Sequence, residues 1–170
     1  MNDLYLALDY LVPEAIFLGS LTDNTQASYD AITWQDSRPK PTWTDVSAAD
    51  IIVYGTHLKG RAADIRWQRQ NGGFTYRGIM YATDFASPAA FGTAYARAQA
   101  DSNYSTQWKT FDQFFVSLTA RDIITLVEAI QNFTDALFAA EAQCDAGIDA
   151  GTITTETQIV AIINAVPNSL

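Results

Sequence analysis

A chain of 170 residues has room for one ordinary domain or two small ones, and its 48% hydrophobic, 17% charged and 12% aromatic residues exclude a disordered chain. Its formal net charge of −9 repels nucleic acid at long range, so no nucleic-acid partner is expected. A single cysteine, Cys144, excludes a disulfide within the chain and a thiolate zinc site built by one copy.

The first element is a short helix over residues 2–11, with Leu4, Leu8 and Leu11 at helical spacing, Asn2 as its cap and Pro13 as its end. Ala15–Leu18 reads as a strand, Gly19 and the polar stretch to Ser28 as a loop, and Tyr29–Trp34 as a second short strand. Pro39 and Pro41 forbid helix around Lys40. Thr42 and Asp45 have the spacing of a capping box, in which a hydroxyl and a carboxylate three residues apart satisfy free backbone N–H groups. That box predicts a helix running as far as Arg69, with a weak point at Gly55, stopped by Asn71-Gly72-Gly73.

Phe74–Thr83 predicts a tight hairpin turning at Arg77-Gly78, and Ser87-Pro88 starts a helix that runs to about Gln99. Trp108–Leu118 reads as a second hairpin, bent near Asp112-Gln113. Thr119 and Asp122 repeat the capping-box spacing and open the longest helix. Its apolar stripe is Ile123, Leu126, Val127, Ile130, Phe133, Leu137, Phe138 and Cys144, and it is expected to end near Gly147 or Gly151. A last helix, Glu156–Val166, stops at Pro167. The expected fold class is α+β: a small antiparallel sheet in which the two hairpins pair, covered by helices, with a long C-terminal helix and a smaller N-terminal part.

Charge is unevenly spread. Residues 1–50 hold eight acids and two bases, residues 51–121 four acids and eight bases, and residues 122–170 seven acids and no base. The basic middle either neutralises the acidic flanks within one fold or complements a neighbouring subunit. Met1–Leu11 carries Asp3 and Asp9 and no basic region, so no secretory leader is expected. The apolar runs fall short of the roughly 20 residues of a membrane helix, so synthesis in the cytoplasm and no membrane insertion are expected.

Chemistry is sparse. No phosphate-binding glycine loop, metalloprotease motif, nucleophile elbow or calcium loop occurs. A triad would have to use His57, the one histidine, with Ser47 or Ser117 as nucleophile, and no local motif supports it. Cys144 lies on an apolar stripe and reads as a small buried hydrophobe. Among Asp84, Asp112 and Asp122, capping explains Asp122 and a turn explains Asp112. Trp34, Trp43, Trp67 and Trp108 suit sugar stacking, but more commonly serve as core or interface anchors. No catalytic residue, cofactor or metal is expected, and the chain is not expected to be an enzyme.

Several blocks occur in one order: Ile65-Arg66-Trp67-Gln68-Arg69 and Gly72-Gly73-Phe74, then Tyr76-Arg77-Gly78 and Thr83-Asp84, Ala94-Tyr95-Ala96, Trp108-Lys109 and Phe115–Ala120. The long helix with Ala129 and Phe138, and Glu141–Ile148, complete the set. From Ala62 to about Ile163 this resembles phage and prophage tail proteins that carry the domain of unknown function 4376. Ile32-Thr33-Trp34 and Pro39-Lys40-Pro41-Thr42 resemble a tryptophan and proline stretch that recurs in such tail proteins. Phe133 stands near where many relatives have histidine, which removes a candidate polar site.

The resemblance implies a place in the virion tail, as a structural component of the tail fibre or its attachment to the baseplate. The partners would be other tail or baseplate proteins, a tail-fibre protein among them, in an oligomer or hetero-assembly. Alternatives are a tail-fibre assembly chaperone absent from the mature virion and a module that binds host polysaccharide. Two parts are expected, residues 1–55 as a docking region and residues 56–170 as the family-like domain, the alternative being that residues 1–55 fold back on the second part. The first part is too small to bury all its aromatics, so Tyr5, Tyr10, Phe17, Trp34 and Trp43 are the candidate interface anchors, with Tyr29 beside them. Pro39–Pro41 would be a stiff spacer between the parts.

Overall fold

The computed structural model describes residues 3–84 and 87–170, less the side chain of Pro88. The fold is mixed α and β, and the chain divides into two compact units, Met1–Gly60 and Arg61–Leu170.

In the first unit, α1 (Leu4–Leu11) is capped by Asp3, whose carboxylate accepts the N–H groups of Tyr5 and Leu6. The Asn2 cap expected from sequence lies outside the described residues. A two-residue strand β1 (Phe17–Leu18) pairs antiparallel with β2 (Thr33–Trp34), Phe17 opposite Trp34. Between them lies α2 (Gln26–Ala31), so of the expected strand Tyr29–Trp34 the first three residues are helical and only Thr33–Trp34 is strand. The start of α2 is a capping box with serine in place of the usual glutamate: Thr25 Oγ1 accepts Ser28 N–H, and Ser28 Oγ accepts Thr25 N–H. The box turns Tyr29 inward, where its hydroxyl donates to Pro41 O.

The core of this unit is Leu4, Ala7, Leu8, Leu21, Tyr29, Ile32, Val46 and Ala49. The last two belong to α3 (Trp43–Asn71), a continuous helix of 29 residues, unbroken at Gly55, within which the division between units falls. Thr42 and Asp45 form the expected box at its start. The proline stretch is not a spacer between the parts. It lies wholly in the first unit, held by Lys40 Nζ on Tyr29 O and by Trp34 Nε1 on Arg38 O.

In the second unit, β3 (Phe74–Tyr76) and β4 (Ile79–Tyr81) form the expected hairpin. Arg77 at φ +51° and Gly78 at φ +76° make the paired left-handed turn that matches strand twist. After α4 (Ser87–Ala100), β5 (Ser105–Lys109) and β6 (Phe115–Thr119) form the second hairpin, which begins three residues before the expected Trp108. The two hairpins do not pair into one sheet, as the marginal stability of a lone hairpin had suggested. They are separate two-stranded sheets, with Phe111 N–H donating to Met80 O. The other edge of β3 is taken by the C-terminal segment: Thr75 and Ser169 form a parallel bridge, and Thr75, Arg77 and Leu170 exchange backbone bonds with residues 168–170 and 75.

Each hairpin has its own helix. Phe91 of α4 stacks on Trp108 of β5, with centroids 4.5 Å apart, and Phe74 of β3 meets Phe133 of α5 (Ala120–Asp149) at 5.6 Å. On α5, Ile123, Leu126, Phe133, Leu137, Ala140 and Cys144 are buried. Phe138 is not: it is 50% exposed, because the helical pitch turns it about 100° from Leu137, and Arg66 lies over its ring at 4.6 Å. The helix ends where Gly151 takes φ +70°. Gly151 N–H then reaches Ile148 O and Thr152 N–H reaches Gly147 O, the paired bonds of a Schellman motif. A last helix, α6 (Glu156–Asn164), is capped by Thr155. By length and composition alone, α5 is long and apolar enough to cross a membrane, a property that runs of consecutive apolar residues had not revealed. Here it is also the helix around which the second unit's core is built.

The capping carboxylates make stability depend on acid. Hydrogen bonds from Thr119, aided by the Arg77 guanidinium at 2.7 Å, hold Asp122 below the ordinary carboxylate value, and Thr42 does the same for Asp45. A carboxyl with a lowered folded pKa contributes stability that is complete above its unfolded value of about 4 and is lost as pH falls through the folded value. The melting temperature is therefore expected to fall below about pH 4, and Asp122→Asn is expected to lower it at neutral pH while flattening the acid limb. Parallel melting curves of the variant and the parent across pH would refute the role given to Asp122.

Candidate docking surface

The most unusual surface of the first unit is the outer side of α1. Leu4, Ala7 and Leu8 face the core. At 100° per residue, Tyr5, Leu6, Asp9 and Tyr10 fall on the opposite arc. A surface helix ordinarily places charged side chains there. Here Tyr5 is 57% exposed, Tyr10 58% and Leu6 49%, with Asp9 as the one charge.

The patch continues onto β1. The rings of Tyr5 and Phe17 lie 6.5 Å apart, and Ile16 and Leu18 on either side of Phe17 are exposed. Phe17 itself is half-buried against the core, with Trp34 as its cross-strand partner. Trp43 is also half-buried, its ring 5.9 Å from Tyr29. Of the five candidate anchors, Tyr5, Phe17 and Trp34 therefore form one chain of contacts, Tyr10 lies on the outward arc of α1 about 140° round from Tyr5, and Trp43 belongs to the core edge beside Tyr29. The contribution of Leu6, Ile16 and Leu18 was not foreseen. For Leu6 the signal was present, since it stands off the Leu4–Leu8–Leu11 stripe.

Charge around this patch is one-sided. Asp3 caps α1, Asp9 accepts Glu14 N–H at 2.8 Å, and Glu14 is exposed. Arg38 reaches Pro13 O, but Asp36 grips it with both carboxylate oxygens at 2.7 and 2.8 Å. Those hydrogen bonds hold the Asp36 carboxyl well below the usual range.

Among the described residues, groups with chemical potential are dispersed or occupied. His57 is exposed and stacks on Tyr54. Ser47 is ten residues away on the same helix, about 15 Å along the axis, too far for a nucleophile–base pair. Ser117 sits in β6 opposite Gln107. Cys144 is buried, and burial followed by the nearby Asp145 and Glu141 charges pushes its thiol up, away from a reactive thiolate. Asp84 accepts the N–H and hydroxyl of Ser87, Asp112 lies in an exposed turn, and Asp122 is the α5 cap. Among the described residues, no three His, Cys, Asp or Glu side chains are grouped to hold a metal.

Among the described residues of the second unit lie shallow clefts. One of about 370 Å³ is lined by Arg61, Gln68, Arg69 and Asn164, among others, but Arg61 is paired with Asp64 and Glu156 and Arg69 donates to Val166 O. Another of about 290 Å³ lies between α4 and α5, and its hydroxyls on Thr83, Ser87 and Thr134 are bonded within the chain. A third, about 340 Å³, runs beside Phe133 and the C-terminal segment.

No curated protein matches the chain, and no solved structure matches it. The family model of a domain of unknown function, DUF4376, matches residues 55–164. That span takes in β3 to β6, α4, α5 and α6 together with the later part of α3, and the chain belongs to the DUF4376 family.

Proposed function

We propose that this chain is a structural component of a bacteriophage tail, in the tail fibre or at its attachment to the baseplate, that acts through protein–protein contacts and catalyses nothing. The observation that carries the reading is the exposed, aromatic outer face of α1 continuing onto β1, beside a small core cluster. Exposed large aromatics that continue into a packed cluster are the kind of group that anchors an interface. The tail location rests on the resemblance carried by the ordered sequence blocks and by Trp34 with Pro39-Lys40-Pro41-Thr42. In this reading the protein is made in the host cytoplasm and ends in the virion, in an oligomer or hetero-assembly with another tail or baseplate protein, without nucleic acid, cofactor or membrane insertion.

The test is mass spectrometry of purified virions from a phage that encodes the chain. A stoichiometric presence in the particle is expected, with loss of incorporation for the full chain carrying Tyr5→Ser and Tyr10→Ser. Presence in infected cells but not in particles would replace this reading with that of an assembly chaperone.

A further inference from the structure

The face on α1 and β1 also has a sign. It is an apolar patch, Tyr5, Leu6, Tyr10, Ile16 and Leu18, bordered by Asp3, Asp9 and Glu14. Residues 1–50 contain only two bases, Arg38 and Lys40, and the fold uses both. Arg38 is held two-pronged by Asp36. Lys40 donates to Tyr29 O and lies 4.5 Å over the Tyr29 ring. Lys59 of the same unit stands nine residues past Asp50 on α3, about 14 Å along the axis, and Asp50 receives the N–H of Asp3 at the start of α1. An interface orders opposite signs against each other, because like charges brought together in a water-poor contact cost orders of magnitude in affinity.

Resting on the docking role proposed above, we infer that this face takes a cationic, apolar-surfaced element of a different protein. A second copy of the same unit would set acid against acid. Four of the second unit's seven bases are bonded inside the chain, Arg61 to Glu156, Arg66 to Glu141, Arg69 to Val166 O and Arg77 to Asp122; Arg97, Lys109 and Arg121 are exposed on α4, β5 and α5, and sedimentation of the parent chain decides whether a second copy uses them. The apolar centre provides contact area, and the acidic border selects the sign of the partner and speeds the encounter.

The experiment uses the full chain and a synthetic amphipathic helical peptide of leucine and lysine, with its leucine–glutamate counterpart as control, in a binding titration. Binding to the lysine peptide alone is expected. The dissociation constant should rise about tenfold in Glu14→Lys, whose side chain is exposed, and again in the Tyr5→Ser, Tyr10→Ser variant. Glu128→Gln with Asp135→Asn, on the exposed side of α5, should leave it unchanged. No binding, equal binding by Glu14→Lys, or transfer of the effect to the α5 pair would overturn the inference. So would sedimentation of the parent chain as a dimer that the tyrosine substitutions dissociate, since a second copy would then cover the face. None of these outcomes depends on whether the protein is found in virions.

Discussion

Phe133→Ala is expected to destabilise the second unit by about 3–5 kcal/mol, read as a shift of the urea midpoint. Phe133 is 3% exposed, meets Phe74 across the contact between α5 and the first hairpin, and has the Arg69 guanidinium 5.8 Å from its ring. Truncation removes the transfer free energy of a whole ring and leaves a cavity that two secondary elements cannot both collapse into. Leu137, one turn on and fully buried, should cost about 2–5 kcal/mol when cut to alanine. Phe138 provides the contrast. It is the same residue type on the same helix, but half-exposed, with one cation–π contact to Arg66, so Phe138→Ala should cost about 1 kcal/mol or less. Equal losses at 133 and 138 would show that α5 is rotated from the orientation described.

The second large effect is expected at Gly73, where alanine should cost about 1–3 kcal/mol. Gly73 has φ +94°, and a Cβ there would stand 3.2 Å from the Tyr81 carbonyl oxygen and 3.1 Å from Met80 Cγ. The neighbouring carbonyl belongs to a strand backbone and cannot swing aside. Gly73 N–H also donates to Thr83 Oγ1, which in turn donates to Gln70 O, so any shift breaks the join between α3 and the hairpin. Two other glycines separate the causes. Gly78 has φ +76° with nothing within 4 Å of an added Cβ, and should show only the backbone cost of about 1 kcal/mol. Gly60 lies inside α3 in open space, so Gly60→Ala should stabilise by roughly 0.5–1 kcal/mol. If all three substitutions shifted the midpoint alike, neither φ nor crowding would be governing the cost.

What could be seen in the sequence was local. The boxes at Thr42–Asp45 and Thr119–Asp122, the Arg77-Gly78 turn and the burial of Phe133 and Leu137 each follow from side chains a few residues apart. The start of α2 was missed because Ser28 takes the place usually held by glutamate or glutamine. The separation of the two hairpins was beyond local pattern, since alternation specifies which face of a strand is apolar but not which strand lies beside it. The docking surface was half-legible. Aromatic content marked Tyr5 and Tyr10, but Trp43 has the same chemistry and sits at the core edge, and only three-dimensional packing distinguishes them.

The C-terminal segment lying along β3 has a practical consequence for anyone who dissects the chain. The family match spans residues 55–164, a natural choice of cutting points. A fragment trimmed to those limits would start partway along α3 and would discard residues 165–170. It would lose the carbonyl of Val166 that receives Arg69 and the backbone partners of Thr75 and Arg77. β3 would then present an open row of donors and acceptors, the kind of bare edge that recruits strands from other molecules. Aggregation of such a fragment would reflect where the scissors fell, and keeping residues 165–170 is the first remedy.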